Sequence, residues 1–219
     1  MKIELGTVRE SPFVGIFAVA TEKFVLLPRA VSKKEEKKAK NAFGVETIKT
    51  GIANSTLLGV LAAGNKKGLV AGSIIEESEK KELEGLGIKV KVVKGVSAVG
   101  NHLAVNDSKG ICSGLFSEKQ KNEIEKFLGV KLMKARIAGT EVVGSSIVAT
   151  NKGFVINKMA TKEEAEAIEN HFGIQGAKAT ANSGDCFVGN SVVANESAAI
   201  AGIATTGFEL ARLDEGLRG

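Results

Sequence analysis

Five glycines, Gly15, Gly59, Gly100, Gly144 and Gly189, recur 44, 41, 44 and 45 residues apart, and around them one phrase is written five times. The copies read VGIFAVATEKFVLL, LGVLAAGNKKGLVA, VGNHLAVNDSKGIC, VGSSIVATNKGFVI and VGNSVVANESAAIA: an apolar run, a polar turn centred on Asn or Thr, and a second apolar run. A period between 20 and 50 residues is the signature of a repeat architecture. The whole chain has to be read as copies of one unit.

The segment after each turn repeats too. Ser32 with Glu35, Ser117 with Gln120, Thr161 with Glu164 and Thr206 with Glu209 all have the capping-box spacing, in which hydroxyl and carboxyl or amide satisfy the first free backbone donors of a helix. Ser78 supplies half of that box in the second copy. Apolar residues then recur three and four apart, as at Ile124, Phe127 and Leu128, which gives each helix one face to bury. Phe43-Gly44, Leu86-Gly87, Leu128-Gly129 and Phe172-Gly173 are stop signals, because glycine accepts the left-handed conformation that ends a helix. A further extended stretch, such as Ile88 to Val93 or Val130 to Ile137, leads into the next glycine. Each unit therefore reads strand, turn, strand, helix, strand.

The two ends of the sequence determine how the units are arranged. The fifth copy runs from Gly189 through a short helix near Phe208 to Leu213 and has no third strand after it. Residues 1–14, MKIELGTVRESPFV, have the pattern and length of VKLMKARIAGTEVV before Gly144. If the N-terminal stretch supplies the missing strand, the chain closes into a ring with no exposed sheet edge, whereas an open stack would need polar caps. The expectation is an α/β protein, a closed toroid of five pseudo-symmetric ββαβ repeats forming a single domain over residues 1–219. The units are approximately 14–57, 58–99, 100–142, 143–188, and 189–219 with 1–13.

Several function classes find no support. No apolar run approaches the ~20 residues needed to span a bilayer, and the N-terminal MKIELGTVRE has no secretion signal, so the expectation is a cytoplasmic protein. Cys112 and Cys186 sit in apolar contexts, and two His with two Cys at no ligand spacing give no metal site. No phosphate loop or dinucleotide fingerprint is present, so no cofactor is expected. The net charge of +5 is uneven: +4 over residues 14–57, +2 over 58–99 and over 100–142, −1 over 143–188 and −2 over 189–219. One side of the ring is basic and suited to a polyanion. Its densest run, Lys33, Lys34, Lys37, Lys38 and Lys40 with Glu35 and Glu36, reads first as a solvated helix face with helix-spaced ion pairs. With no Trp or Tyr, and Phe mainly in apolar contexts, the chain has little with which to stack exposed bases.

VGNHLAVNDSKG, VGSSIVATNKGFV and VGNSVVAN, together with ATTGFELARL near the end, resemble the archaeal translation initiation factor six family across essentially the whole chain. The resemblance implies a pentein-type ring without catalysis. It implies binding to the intersubunit face of the large ribosomal subunit, prevention of premature joining by the small subunit, and a part in large-subunit maturation. The implied partners are universal large-subunit protein fourteen and its neighbours near the sarcin–ricin loop. Release is implied to involve a translocation GTPase and a Shwachman–Bodian–Diamond family factor. Ribosomal RNA is then the polyanion facing the basic side, and the ring is expected to act as a monomer. Eukaryotic members carry an additional C-terminal regulatory tail, and that layer of control is not carried over to the expectation for this chain.

The ring has two ends to present. The turns Asn65-Lys66-Lys67-Gly68, Asn106-Asp107-Ser108-Lys109 and Asn151-Lys152-Gly153 are expected at one end with the helix C-termini, and the glycine phrases at the other with the helix N-termini. The family resemblance favours the second end for ribosome binding, with Ile16, Val60, Asn101, Ser145 and Asn190, each following a repeat glycine, as candidates. The residues alone also admit a local backbone role for polar side chains there. Two alternatives stand beside this reading. One is a pentein-fold guanidine-modifying enzyme with Cys186 as nucleophile and His102 as its partner, although neither neighbourhood resembles those enzymes. The other is a ring-shaped, RNA-attracting assembly adaptor.

Overall fold

The computed structural model describes residues 1–219 and contains five copies of one unit. After strand β1 (Lys2–Gly6), the first unit comprises α1 (Val14–Phe17), β2 (Val19–Ala20), β3 (Phe24–Pro28), α2 (Lys33–Phe43) and β4 (Glu46–Thr50). The second has α3 (Leu58–Leu61), β5 (Ala62–Asn65), β6 (Gly68–Gly72), α4 (Glu77–Gly85) and β7 (Val90–Val93). The third has α5 (Val99–His102), β8 (Leu103–Val105), β9 (Lys109–Cys112), α6 (Glu118–Leu128) and β10 (Lys131–Lys134). The fourth has α7 (Val143–Ser146), β11 (Ile147–Ala149), β12 (Phe154–Asn157), α8 (Lys162–Phe172) and β13 (Gly176–Ala179). The fifth has α9 (Val188–Ser191), β14 (Val192–Ala194), β15 (Ala198–Gly202) and α10 (Gly207–Arg218).

Every unit holds a three-stranded sheet, with a hairpin pair and a parallel strand that returns after the helix. In the fifth sheet the parallel strand is β1, from the other end of the chain, paired Lys2 to Ala198 through Gly6 to Gly202. The ring closes as the sequence requires. The glycine phrases differ from the expectation: each repeat glycine lies in a single helical turn that precedes the first hairpin strand, so a unit begins with a short helix. The third strands are also shorter than their apolar runs, because residues such as Ile137 and Thr140 turn back to bridge one another.

The helix boundaries follow the local chemistry. Ser32, Ser117, Thr161 and Thr206 accept from the backbone three residues on, and Glu35, Gln120, Glu164 and Glu209 reach back. In the second unit the cap is Glu76, whose N–H donates to Glu79 Oε2 at 3.0 Å, and Ser78 lies inside the helix. Gly44, Gly87, Gly129 and Gly173 take φ of 67°, 79°, 64° and 69° where four of the helices stop. α10 is longer than its sequence pattern suggested, because Leu213 and Leu217 are both fully buried against the fourth and fifth units.

The core is five apolar clusters, each shared by two consecutive units. One joins Leu26 and Ile48 of the first unit to Leu69 and Leu83 of the second. The closing joint is of the same kind, joining Val193 and Ile200 to Val25 and Phe43. Each unit thus buries its apolar faces only against its neighbours, and the ring satisfies all five.

At the axis the short helices meet through backbone alone. A Cβ placed at Gly59 would collide with Gly15 O, one at Gly100 with Gly59 O, one at Gly144 with Gly100 O, one at Gly189 with Gly144 O and one at Gly15 with Gly189 O. All five collisions fall far inside 3.0 Å, so the repeat glycines form a collar that no side chain can enter. Gly100→Ala is expected to cost more than ~3 kcal/mol, an overpacking penalty with no flexible neighbour to yield. Gly85 has nothing within 4 Å of its Cβ position and lies in a helix, so Gly85→Ala should stabilise by about 0.5–1 kcal/mol. Thermal unfolding of the two variants by circular dichroism checks the contrast.

Candidate functional site

The hairpin turns and the helix C-termini share one end of the ring, and that end is internally satisfied. Asn65 Nδ2 donates to Asn106 O of the next turn and to Leu128 O at a helix terminus, both at 3.1 Å. Asn106 Nδ2 donates to Thr150 O at 3.0 Å, and Asn195 Nδ2 to Thr21 O and Phe43 O at 3.4 and 3.2 Å. Glu22, Asp107 and Glu196 stand around the same mouth. Burial, with the charges of Glu196 and Asp107, pushes the Glu22 carboxyl above its usual range, although the Glu196 N–H that it accepts pulls the other way.

Between the ends, an axial cavity of about 110 Å³ is lined by the five repeat glycines with Gly64 and by Ala, Val, Leu and Ile side chains. No titratable or polar side chain lines it.

The opposite end holds the short helices at its centre and, around them, the loops into the long helices. Four of its turns are built alike. The bridges Val8–Ser11, Ile52–Ser55, Ile137–Thr140 and Ala181–Asp185 close turns in which Arg9, Glu10, Ala53, Asn54, Ala138, Asn182 and Ser183 all have φ between 47° and 63°. A non-glycine residue held there costs on the order of 1–3 kcal/mol, so something must hold it. The holder is the carboxylate that also completes each capping box. Glu79 accepts from Ala53 N and Asn54 N at 2.7 and 2.9 Å, Glu164 from Ala138 N at 2.9 Å, Glu35 from Glu10 N at 3.1 Å, and Glu209 from Ser183 N and Gly184 N at 3.1 and 2.8 Å. The third unit has Gln120 instead, whose amide nitrogen donates to Lys94 O at 2.6 Å. No bridge forms in that loop.

Glu209 is the most heavily bonded of these groups. It is 5% exposed and also accepts from Thr180 Oγ1 and from Thr206 N and Oγ1. Burial pushes its carboxyl up, but the hydrogen bonds from Thr206, Thr180 and Gly184 outweigh burial and hold the pKa at about 2, against an ordinary 4.5.

The five sequence candidates lie around the axis at this end and differ in availability. Ile16 and Val60 are half-buried against the first and second cores. Ser145 is buried and donates to Asn101 Oδ1 at 3.1 Å, so these two side chains link the third and fourth units. Asn190 is half-buried, with its backbone N–H on Phe187 O. The exposed side chains lie further out. Phe13, Leu57, Ile74, Leu115, Met159, Ile203 and Phe208 are seven of the eight large exposed apolar residues of the chain, and all sit on the loops or first helical turn at this end. Leu115, Met159, Ile203 and Phe208, at 57%, 69%, 55% and 75% exposure, place the most open part on the third to fifth units. A signal for them was present in the repeats: Ile74, Leu115 and Met159 all fall two residues before a helix cap, an apolar side chain in a loop.

The basic run on α2 is also distributed differently from the sequence pattern. Lys38 pairs with Glu4 and Glu36 with Lys49, both on neighbouring strands, and no helix-spaced pair forms there. Lys33, Lys34, Lys37 and Lys40 are left without ion pairs.

Residues 3–216 match the model of the eIF-6 family. The chain belongs to the eIF-6 family. It is 33% identical over 224 residues to translation initiation factor 6 of Pyrococcus horikoshii, covering 99% of both chains. It is 33% identical over 210 residues to the same factor of Methanosarcina mazei, covering 95% of this chain and 94% of that one. Among solved structures, a dimethylarginine dimethylaminohydrolase in adduct with S-methyl-L-thiocitrulline superposes with a TM-score of 0.52 at 15% identity, covering 94% of this chain and 76% of that one. That likeness is one of fold, the pentein toroid. No helix of the ring is long and apolar enough to cross a membrane.

Glu209 makes stability depend on acid in a defined direction. Its folded pKa lies below the unfolded value, so its contribution is complete above about 4.5 and is lost as pH falls toward about 2. The loss is on the order of 2–3 kcal/mol. Urea unfolding of the wild type and Glu209→Gln across that window checks it: the variant should be less stable at neutral pH and should lose less on acidification.

Proposed function

We propose that this protein is a translation factor that docks on the intersubunit face of the large ribosomal subunit through the glycine-phrase end of the ring, and there excludes the small subunit. The observation that carries the reading is that seven of the eight large exposed apolar side chains fall on that one end, since exposed apolar side chains gathered on one face mark an interaction site. Family membership and the names of the relatives give the direction: both relatives are translation initiation factors. The carboxylate-held turns suit a docking rim, because a surface already rigid loses little conformational entropy on binding.

The mechanism is steric and thermodynamic. A ring seated where the small subunit must later make contact blocks it by excluded volume. A ligand that binds only the free subunit shifts the association equilibrium by mass action. Universal large-subunit protein fourteen and neighbours near the sarcin–ricin loop are the partners this reading assigns. A translocation GTPase and a Shwachman–Bodian–Diamond family factor would assist release, and a role in large-subunit maturation follows from the same occupancy. The basic units face ribosomal RNA. The protein then acts as a monomer in the cytoplasm, where the subunits meet, and the whole chain works as one domain. Of the axial candidates, Asn101 and Ser145 would act by fixing neighbouring units, and Ile16, Val60 and Asn190 by contact at the centre of the rim.

Catalysis has no part in this reading. The axial cavity offers no acid, base or nucleophile. His102 Nδ1 is taken by Glu141 O at 3.0 Å, and Cys186, half-buried in the turn before α9, has its Sγ on Gly184 O at 3.8 Å, so neither side chain faces the axial cavity.

Co-sedimentation with separated ribosomal subunits tests the proposal. The wild type should travel with the large subunit and prevent joining. Leu115→Glu with Met159→Glu, at two exposed loop positions, should weaken binding at least about tenfold with little change in thermal stability, as expected when two apolar anchors of an interface are replaced by charge. Failure of the wild type to bind, or binding that the double variant leaves intact, overturns the reading.

A further inference from the structure

We propose that the joint between the fourth and fifth units is a nucleotide site, holding one unit of single-stranded RNA with its phosphate among Lys158, Lys178 and Arg212 and its base on Phe208. A cavity of about 310 Å³ opens there, lined by these four residues with Thr180 and Glu209, a size at the lower end of the range for small-ligand sites.

Phe208 is the residue that the fold does not explain. It is 75% exposed at the second position of α10, where the other four long helices carry Lys34, Ser78, Lys119 and Glu163. No core needs an aromatic ring at that position. Arg212 follows four residues later and so shares its helix face. Lys158 is in the loop before α8, is exposed and is in none of the ion pairs of the ring. Lys178, on β13, has its ammonium on Ala160 O, and Arg212 is held by Glu215 and by Lys178 O. Two cations are therefore fixed beside the cavity and one is free to reach into it.

Glu209 also lines the cavity, but its two oxygens already accept from Thr180, Ser183, Gly184 and Thr206. Its charge is directed into the turn, and the other charged side chains lining the cavity are Lys158, Lys178 and Arg212, of which Arg212 is paired with Glu215 and the two lysines are in no ion pair. An aromatic platform beside fixed cations matches a nucleotide, the base stacking on the ring and the phosphate meeting the charges. These two units carry net negative charge, −1 and −2, so the site is a local feature and not an extension of the basic side. Phe208 also supplies what the composition argued against, an exposed ring able to stack a base.

The proposal does not rest on subunit docking and is tested on the isolated protein. Fluorescence anisotropy with a 3′-labelled octaadenylate should show binding. Phe208→Ala should weaken it about tenfold with an unchanged salt dependence, as expected when one stacked base is lost. Lys158→Gln should weaken it and reduce the salt slope by about one. Lys34→Gln, which removes a charge from the first unit, should leave it unchanged. If adenosine monophosphate competes as well as the octamer, the occupant is a free nucleotide in the same site; if it competes poorly, the occupant is an RNA strand. No binding by the wild type, no effect of Phe208→Ala, or an equal effect of Lys34→Gln and Lys158→Gln overturns the site. Both single variants sit on exposed side chains, and their thermal melts confirm that folding is retained.

Discussion

The contact of backbone against backbone at the axis is the constraint on which the rest of the ring depends. Five short helices can approach closely enough to close a circle only if the residue at each contact has no side chain, and Gly15, Gly59, Gly100, Gly144 and Gly189 occupy those contacts. Once that spacing is set, the distance between neighbouring sheets is set too. The five inter-unit cores then fill the wedges between them, each built from the helices and strands of two units. The collar carries no charged or polar side chain. The centre of the molecule is a structural fastening, and anything specific has to be written at its ends or on its rim.

The two ends use their polar groups in opposite ways. At the hairpin end, Asn65, Asn106 and Asn195 consume the carbonyls of the next turn and of a helix terminus, which leaves few free donors or acceptors near the axis. At the other end, buried carboxylates hold left-handed turns, and apolar side chains point outward from the loops beside them. One helix residue thus has two tasks, capping its own helix and fixing the turn of the unit before. That economy explains why Glu79 and Glu209 are buried although they are charged.

Much of the architecture was legible because it rests on local rules applied five times. Capping pairs, glycine stops, alternating apolar runs and the orphan N-terminal strand each have a short-range physical cause, and the structure follows them. The helical turn at each repeat glycine was not legible. VGIF or VGNH has the composition of a strand, and only packing against two neighbouring copies selects a helix. The cap at Glu76 was missed because a carboxylate there resembles any surface charge. The site was the least legible part. Asn101 and Ser145 stand among the sequence candidates but are bonded to each other, while Leu115, Met159 and Phe208, which no sequence motif singled out, are open to solvent.

A backbone with five nearly equivalent units offers any partner five rotational settings of almost the same shape, and shape alone selects none of them. The rim removes that degeneracy: Leu115, Met159, Ile203 and Phe208 fall on three consecutive units, while the surplus of lysine falls on the first three. Divergence among the copies therefore acts as an index mark, giving a ring of nearly equivalent units one distinguishable setting.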